Sequence, residues 1–220
     1  MSSLFRILPF RTIACTIFAL VLAPATFAQL GARSAEEWVR MLDSKNRVMK
    51  LQVDAAVAAL KLAPGSVVAD IGAGSGVFTL PLAKAVGPGG MIYAVDIDQG
   101  LVEHIMKKVK EEKVTQVTGV LGQFTDPALP ARNVDVAFIY DVLHHIEDRV
   151  GYLKNLAPYL TSTGRIVVID FYPELGPHKN DPTLQVTKSQ SEAWMASIGF
   201  KPVAEHKLYD DKWYVEYARR

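Results

Sequence analysis

VVADIGAGSG, residues 67–76, is the stretch on which the reading of this chain turns. Its first half, Val67 to Ile71, is a short apolar run rich in β-branched residues, the composition of a buried strand. Its second half places glycines at 72, 74 and 76 with only small residues between them. A glycine-rich turn between a strand and a helix lets a ligand come close to the backbone, and it aims unpaired helix amides at a negative group. The dinucleotide fingerprint is G-x-G-x-x-G. Counted from Gly72, that pattern would need glycine at position 77, where the chain has Val77. Asp70 also precedes the first glycine by two residues. A carboxylate there would repel a pyrophosphate and suits a ligand carrying positive charge.

Working outward from this turn, strands and helices alternate. A helix from about Val77 to Val86 ends at the breaker GPGG (87–90), and MIYAVDI (91–97) reads as a second strand. Residues 98–112 are helical, VTQVTGVL (114–121) is a third strand, and VDVAFIYDVL (134–143) begins as a fourth. A helix over 149–160 follows, stopped by Gly164 before the strand RIVVIDFY (165–172). After a loop over 173–182, residues 187–198 are helical, and FKPVAEHKLYDDKWYVEYARR divides at Asp210-Asp211 into two alternating strands. On the N-terminal side, residues 32–62 form one or two helices, with Trp38, Met41 and Leu42, then Val53, Val57 and Leu60, at helical spacing before the Pro64-Gly65 turn. The expected fold class is therefore α/β: a Rossmann-like, mostly parallel seven-stranded sheet with helices on both faces and an antiparallel C-terminal hairpin. The last pair must be antiparallel because so short a connection cannot make a parallel crossover.

The chain opens with MSSLFRILPFRTIACTIFALVLAPATFAQ, which has the three parts of an export signal: Arg6 and Arg11, an apolar run from Thr12 to about Ala23, and small residues at the end. Cleavage is expected after Ala28, with Ala25 as the alternative. The apolar run is short of the roughly 20 residues that span a bilayer. An uncleaved N-terminal anchor is the alternative to an exported, periplasmic or secreted, protein with no stable membrane span. The expected organisation is a signal peptide over 1–28, a helical segment over 29–62 and one domain over 63–220. The only cysteine, Cys15, falls in the leader, which excludes disulfides, zinc–thiolate sites and cysteine nucleophiles from the mature chain. Basic and acidic residues number 24 and 23, with no block of one sign, so nothing points to a nucleic-acid partner or a polybasic membrane patch.

VVADIGAGSG, AVDID (94–98), DVAFIYDVLHHIED (135–148) and the closing hairpin, in that order, resemble the class I S-adenosylmethionine-dependent methyltransferases over nearly all of residues 48–219. The resemblance implies S-adenosylmethionine as cofactor and assigns the residues around it. Asp70 would stand near the methionyl ammonium. Gly72, Ala73, Gly74 and Gly76 would let the backbone pass close to the methionine part. Asp96, at the end of the second strand, would accept from both ribose hydroxyls, and Ile97 would pack on the adenine. Many members have an acid after the third strand for the adenine amino group. Here Gln123 stands there, followed by Phe124, with Asp126 three residues later.

Candidates for chemistry follow the fourth strand: Tyr140, Asp141, His144 and His145. That position is the carboxyl end of a strand beside the crevice where ligands bind in such sheets. A base is needed only if the acceptor must lose a proton. Asp141 could instead cap the next short helix. Paired histidines also suggest a metal, but no third ligand lies at metal spacing nearby, so no metal is expected. Glu174 and His178, in the loop YPELGPHKNDP (172–182), are either acceptor contacts or solvated loop residues. The expected activity is methyl transfer to a small-molecule acceptor. No NPPY-type motif for methylating nucleic-acid bases occurs, and the lack of cysteine argues against an arsenite methyltransferase-like role. The alternatives are a non-catalytic S-adenosylmethionine- or S-adenosylhomocysteine-binding module and a nicotinamide-dependent oxidoreductase.

Overall fold

The structure is a computed structural model that describes residues 33–220. The leader, its cleavage sites and Cys15 lie outside the described residues. The chain begins with three short helices, α1 (Ala35–Leu42), α2 (Lys45–Lys50) and α3 (Val53–Ala59), where one or two were expected. Ser34 starts α1 with a capping box: its hydroxyl accepts from the Glu37 amide while the Glu37 carboxylate accepts from the Ser34 amide. The break between α2 and α3 falls at Gln52, whose φ of +46° leaves helical space.

The rest alternates as expected: β1 (Val67–Ile71), α4 (Thr79–Val86), β2 (Met91–Asp96), α5 (Gln99–Glu111), β3 (Val117–Leu121), β4 (Val134–Tyr140), α6 (Arg149–Leu156), β5 (Leu160–Phe171), α7 (Lys188–Ser197), β6 (Phe200–Glu205) and β7 (Lys212–Arg219). The sheet has seven strands in the order β3-β2-β1-β4-β5-β7-β6. All pairs through β5 are parallel, and β7 is antiparallel to both its neighbours. β1 lies between β2 and β4. Chain connections therefore leave it in opposite directions across the sheet, which opens a crevice beyond the carboxyl ends of β1 and β4.

Period-two alternation sends neighbouring residues of one strand into separate cores. Ala69 and Ile71 face one helix layer together with Val95, Ile139 and Leu153, while Val68 faces the other with Ile92, Phe138 and Leu82. This is why the strands read as continuous apolar runs.

Two expectations need correction at the C-terminal end. The helix expected over 149–160 stops at Leu156, passes through a single 3-10 turn, and gives way to β5 at Leu160 rather than after Gly164. The polar run Thr161-Ser162-Thr163 bulges out of the strand, because Val134 pairs with Leu160 but Val136 already pairs with Arg165. The last strand does not alternate either: Lys212 through Tyr217 are all buried. β7 is inserted between β5 and β6 and covered on both faces, with Trp213 on one side and Tyr214 on the other. The edge falls instead to β6, mostly exposed and carrying Pro202, as edge strands tolerate.

Candidate active site

The crevice at the switch point is a cleft of about 340 Å³. The loop after β1 forms its floor. Gly72 and Gly74 have φ of +69° and +58°, a left-handed backbone that favours glycine. A methyl on Gly72 would also drive into the Val142 side chain, whose Cγ1 would be 2.9 Å away. Of the residues assigned by resemblance, Asp70, Gly72, Ala73, Gly74, Asp96, Ile97, Gln123 and Phe124 line the cleft. Gly76 shapes the loop from behind, its φ of +76° turning the chain against Ile105. Asp126 is taken up elsewhere, accepting from the Ala128 amide and the Tyr159 hydroxyl, so Gln123 and Thr125 are the polar residues after β3 that line the cleft.

Asp70 and Asp96 are both buried. Asp70 keeps one hydrogen bond, from the Thr79 hydroxyl at 2.7 Å. Burial, with Asp96 nearby, pushes its carboxyl up to about 7. A carboxylate so placed is short of positive charge. Asp96 accepts from the Gly74 amide at 2.8 Å and from the Asp98 amide at 3.1 Å. It therefore fixes the glycine loop against β2, and burial pushes its carboxyl upward as well.

The N-terminal helices close the cleft from above, with Trp38, Leu42, Arg47 and Leu51 among its lining residues. The Ser75 hydroxyl donates to Asp43 at 2.5 Å, and Lys108 joins them by donating to the Ser75 carbonyl at 3.1 Å. Helical periodicity marked α1 in the sequence, but nothing local to it signals that it covers the glycine loop.

On the acceptor side, Tyr140, Asp141 and His145 line the cleft and His144 does not. The Tyr140 hydroxyl is buried; Tyr209 is close enough to perturb it, yet among the described residues no hydrogen bond of normal geometry reaches it, and burial pushes its proton loss far upward. Asp141 does not cap the following 3-10 turn (Leu143–His145), which has no side-chain cap. It stands at a φ of +55° and forms an ion pair with Lys212 at 2.9 Å. Burial pushes its carboxyl up to about 6 in spite of that partner. Lys212, from the far end of the sequence, was not a candidate; a lone lysine opening an apolar strand is the only trace it leaves.

His144 turns away from the cleft and places Nδ1 2.7 Å from an Asp170 carboxylate oxygen. The loop after β5 brings His178 to the same place, so the spacing argument against a third ligand fails in three dimensions. Ring centroids of His144 and His145 are 4.1 Å apart, and each is 5.3 Å from that of His178.

Comparison with known proteins places this architecture. Residues 69–168 match the family model described as a methyltransferase domain. The matched stretch is 100 of the chain's 220 residues. The fold around it is that of a SAM-dependent methyltransferase from Aquifex aeolicus, with a TM-score of 0.75 over 84% of this chain and 98% of that one at 19% identity. An O-methyltransferase from neocarzinostatin biosynthesis, solved with S-adenosylmethionine and 2-hydroxy-5-methyl naphthoic acid, superposes with a TM-score of 0.70 over 88% of this chain and 61% of that one, at 21% identity. Aklanonic acid methyltransferase DauC from Streptomyces sp. (strain C5) is 33% identical over 103 residues, 46% of each chain. The matched stretch thus spans about half of that relative. The cofactor of such a domain is S-adenosylmethionine, and the cleft fits it: a buried acid short of positive charge beneath a glycine loop, and a second acid at the end of β2.

Proposed function

We propose that the chain methylates an oxygen of a small hydroxylated aromatic molecule, with S-adenosylmethionine as donor. One observation carries the reading: the cleft runs from Asp70 and Asp96 at one end to Asp141 and His145 at the other, so donor and acceptor groups meet in one crevice. The named activities of the relatives, on aklanonic acid and with a naphthoic acid, support the acceptor class.

Bound S-adenosylmethionine supplies an electrophilic methyl on a sulfonium. Transfer is an in-line displacement, so the chain's main task is to hold the two partners together, and well-oriented pairs gain roughly 7–11 kcal/mol in this way. Asp70 would neutralise the cationic end, Asp96 would hold the sugar, and the helices over the cleft would exclude water. The bound donor would give up its methyl with cleavage of the sulfur–methyl bond and leave as S-adenosylhomocysteine, and a base of the chain would take the proton of the acceptor hydroxyl. Asp141, with its carboxyl at about 6, is better matched to neutral pH than His145, which burial and the two neighbouring imidazoles push down to about 3. Asp141 is therefore assigned as base, held by Lys212.

The test is incubation of the full chain with methyl-labelled S-adenosylmethionine and a panel of hydroxylated aromatic acids, read by mass spectrometry. Labelled product and an equal amount of S-adenosylhomocysteine are expected. Tight S-adenosylhomocysteine binding with no labelled product from any acceptor would instead make the chain a binding module.

We also propose that the leader directs export, with cleavage after Ala28 and a mature chain starting at Gln29. Among the described residues no helix is long and apolar enough to cross a membrane. N-terminal sequencing of the protein from its own cell decides the matter; a retained Met1 in soluble cytosolic material overturns it.

A further inference from the structure

We propose that His144, His145 and His178 form a binding site for one divalent transition-metal ion of the zinc class, with Asp170 orienting His144 from behind. The site does not depend on the methyl-transfer reading.

The three side chains each bring a ring nitrogen to within 4.8 Å of the others. A zinc ion takes imidazole nitrogens at about 2.0–2.1 Å, which sets them about 3.4 Å apart in a tetrahedron. Small side-chain rotations close the difference. The least adjustable member is already set. Asp170 is 2% exposed, and its carboxylate accepts from the His144 amide at 3.1 Å and the Phe171 amide at 2.8 Å while holding the His144 ring at 2.7 Å. With the proton held at Nδ1 by that carboxylate, Nε2 is left as the ligand atom. A carboxylate behind a metal-binding imidazole commonly plays this part.

His178 is anchored through its backbone, its carbonyl accepting from the Asp181 amide at 2.9 Å and from Gln185 Nε2 at 3.2 Å. Arg149 is the opposing charge: its guanidinium donates to the His144 carbonyl at 2.9 Å and to the Thr183 carbonyl at 2.7 Å. The Asp170 carboxylate offsets it. Three protein ligands leave a fourth position open, the arrangement of reactive rather than structural zinc sites. His145 is shared between this cluster and the lining of the cofactor cleft.

The experiment uses the full chain without a polyhistidine tag, stripped with a chelator and titrated with Co²⁺ as a visible stand-in for Zn²⁺. One equivalent of Co²⁺ should raise the visible absorption of a low-coordinate cobalt site, and Zn²⁺ should bleach it. His178→Gln and His145→Gln, each removing a different ligand, should lose the band. Asp170→Asn should keep the band but weaken metal binding by about 10- to 100-fold, the usual effect of losing such a partner. Absence of the band at one equivalent, or an unchanged band and affinity in the folded His178→Gln or His145→Gln protein, overturns the proposal.

Discussion

Lys212, the first residue of the last strand, places its ammonium 2.9 Å and 3.0 Å from the two carboxylate oxygens of Asp141, at the end of β4. The same nitrogen lies 3.0 Å from the centre of the Phe171 ring. The pair ties the acceptor end of the cleft to a strand inserted more than 70 residues later. Lys212→Met removes the partner and leaves a buried carboxylate. Breaking a buried pair in this way costs about 3–5 kcal/mol. Chemical unfolding should show a loss of that order for Lys212→Met, and a smaller one for the double variant Lys212→Met/Asp141→Asn. Equal losses would mean the carboxylate is not the source of the cost.

If Asp141 is the base, turnover should fall below about pH 6, where its carboxyl takes up a proton. Turnover at saturating cofactor should rise with pH through that value and then level off. Asp141→Asn should remove the step and most of the rate. A profile that is flat from pH 5 to 8 would show that no group of that kind limits the reaction.

Asp70 makes both stability and cofactor binding depend on pH, with opposite signs. Its carboxyl sits at about 7 in the fold against an ordinary 3.8, so the folded chain holds a proton that the unfolded chain has lost. Stability from this group is full below pH 4 and is lost as pH rises from about 4 to 7. Binding of a cationic ligand runs the other way, because it needs the ionised form. S-adenosylhomocysteine, which keeps the ammonium, should bind more tightly from pH 6 to 8, by about tenfold in all, and level off above that. Calorimetry across that range checks it, and Asp70→Asn should flatten the trend.

Asp96→Asn should weaken S-adenosylhomocysteine binding by about 30- to 150-fold, since hydrogen bonds to a charged acceptor are worth roughly 1.5–3 kcal/mol each. His144→Ala lies outside the cleft and should leave that affinity within a few-fold. A titration of both folded variants compares them directly; unchanged binding in Asp96→Asn removes the ribose assignment.

Gly72→Ala should destabilise the chain, because alanine resists a φ of +69° and its methyl meets Val142. The left-handed backbone alone costs about 1–2 kcal/mol. Val142→Ala should recover the steric part but not the backbone part. Thermal unfolding of the two single variants and the double variant separates them, and full additivity would mean that the contact with Val142 costs nothing.

Residue order alone determined the alternation of strands and helices, the buried character of β1, β2 and β4, and the glycine turn after Asp70 with an acid, Asp96, ending the next strand; that Asp96 meets this turn was implied by resemblance and decided by the pairing of β1 with β2. These were legible because each rests on short-range physics: β-branched runs, glycine conformations and the residue that ends a strand. The tertiary structure decided what short-range physics cannot reach. Lys212 meets Asp141 and His178 meets His144 because the sheet order sets β5 beside β4 and β7 beside β5, and Asp43 meets Ser75 because the N-terminal helices pack over the glycine loop. It also turned the C-terminal pair from alternating strands into a buried β7 and an exposed edge. The pattern of one strand is set by what packs on both its faces, and that is known only once its neighbours are in place.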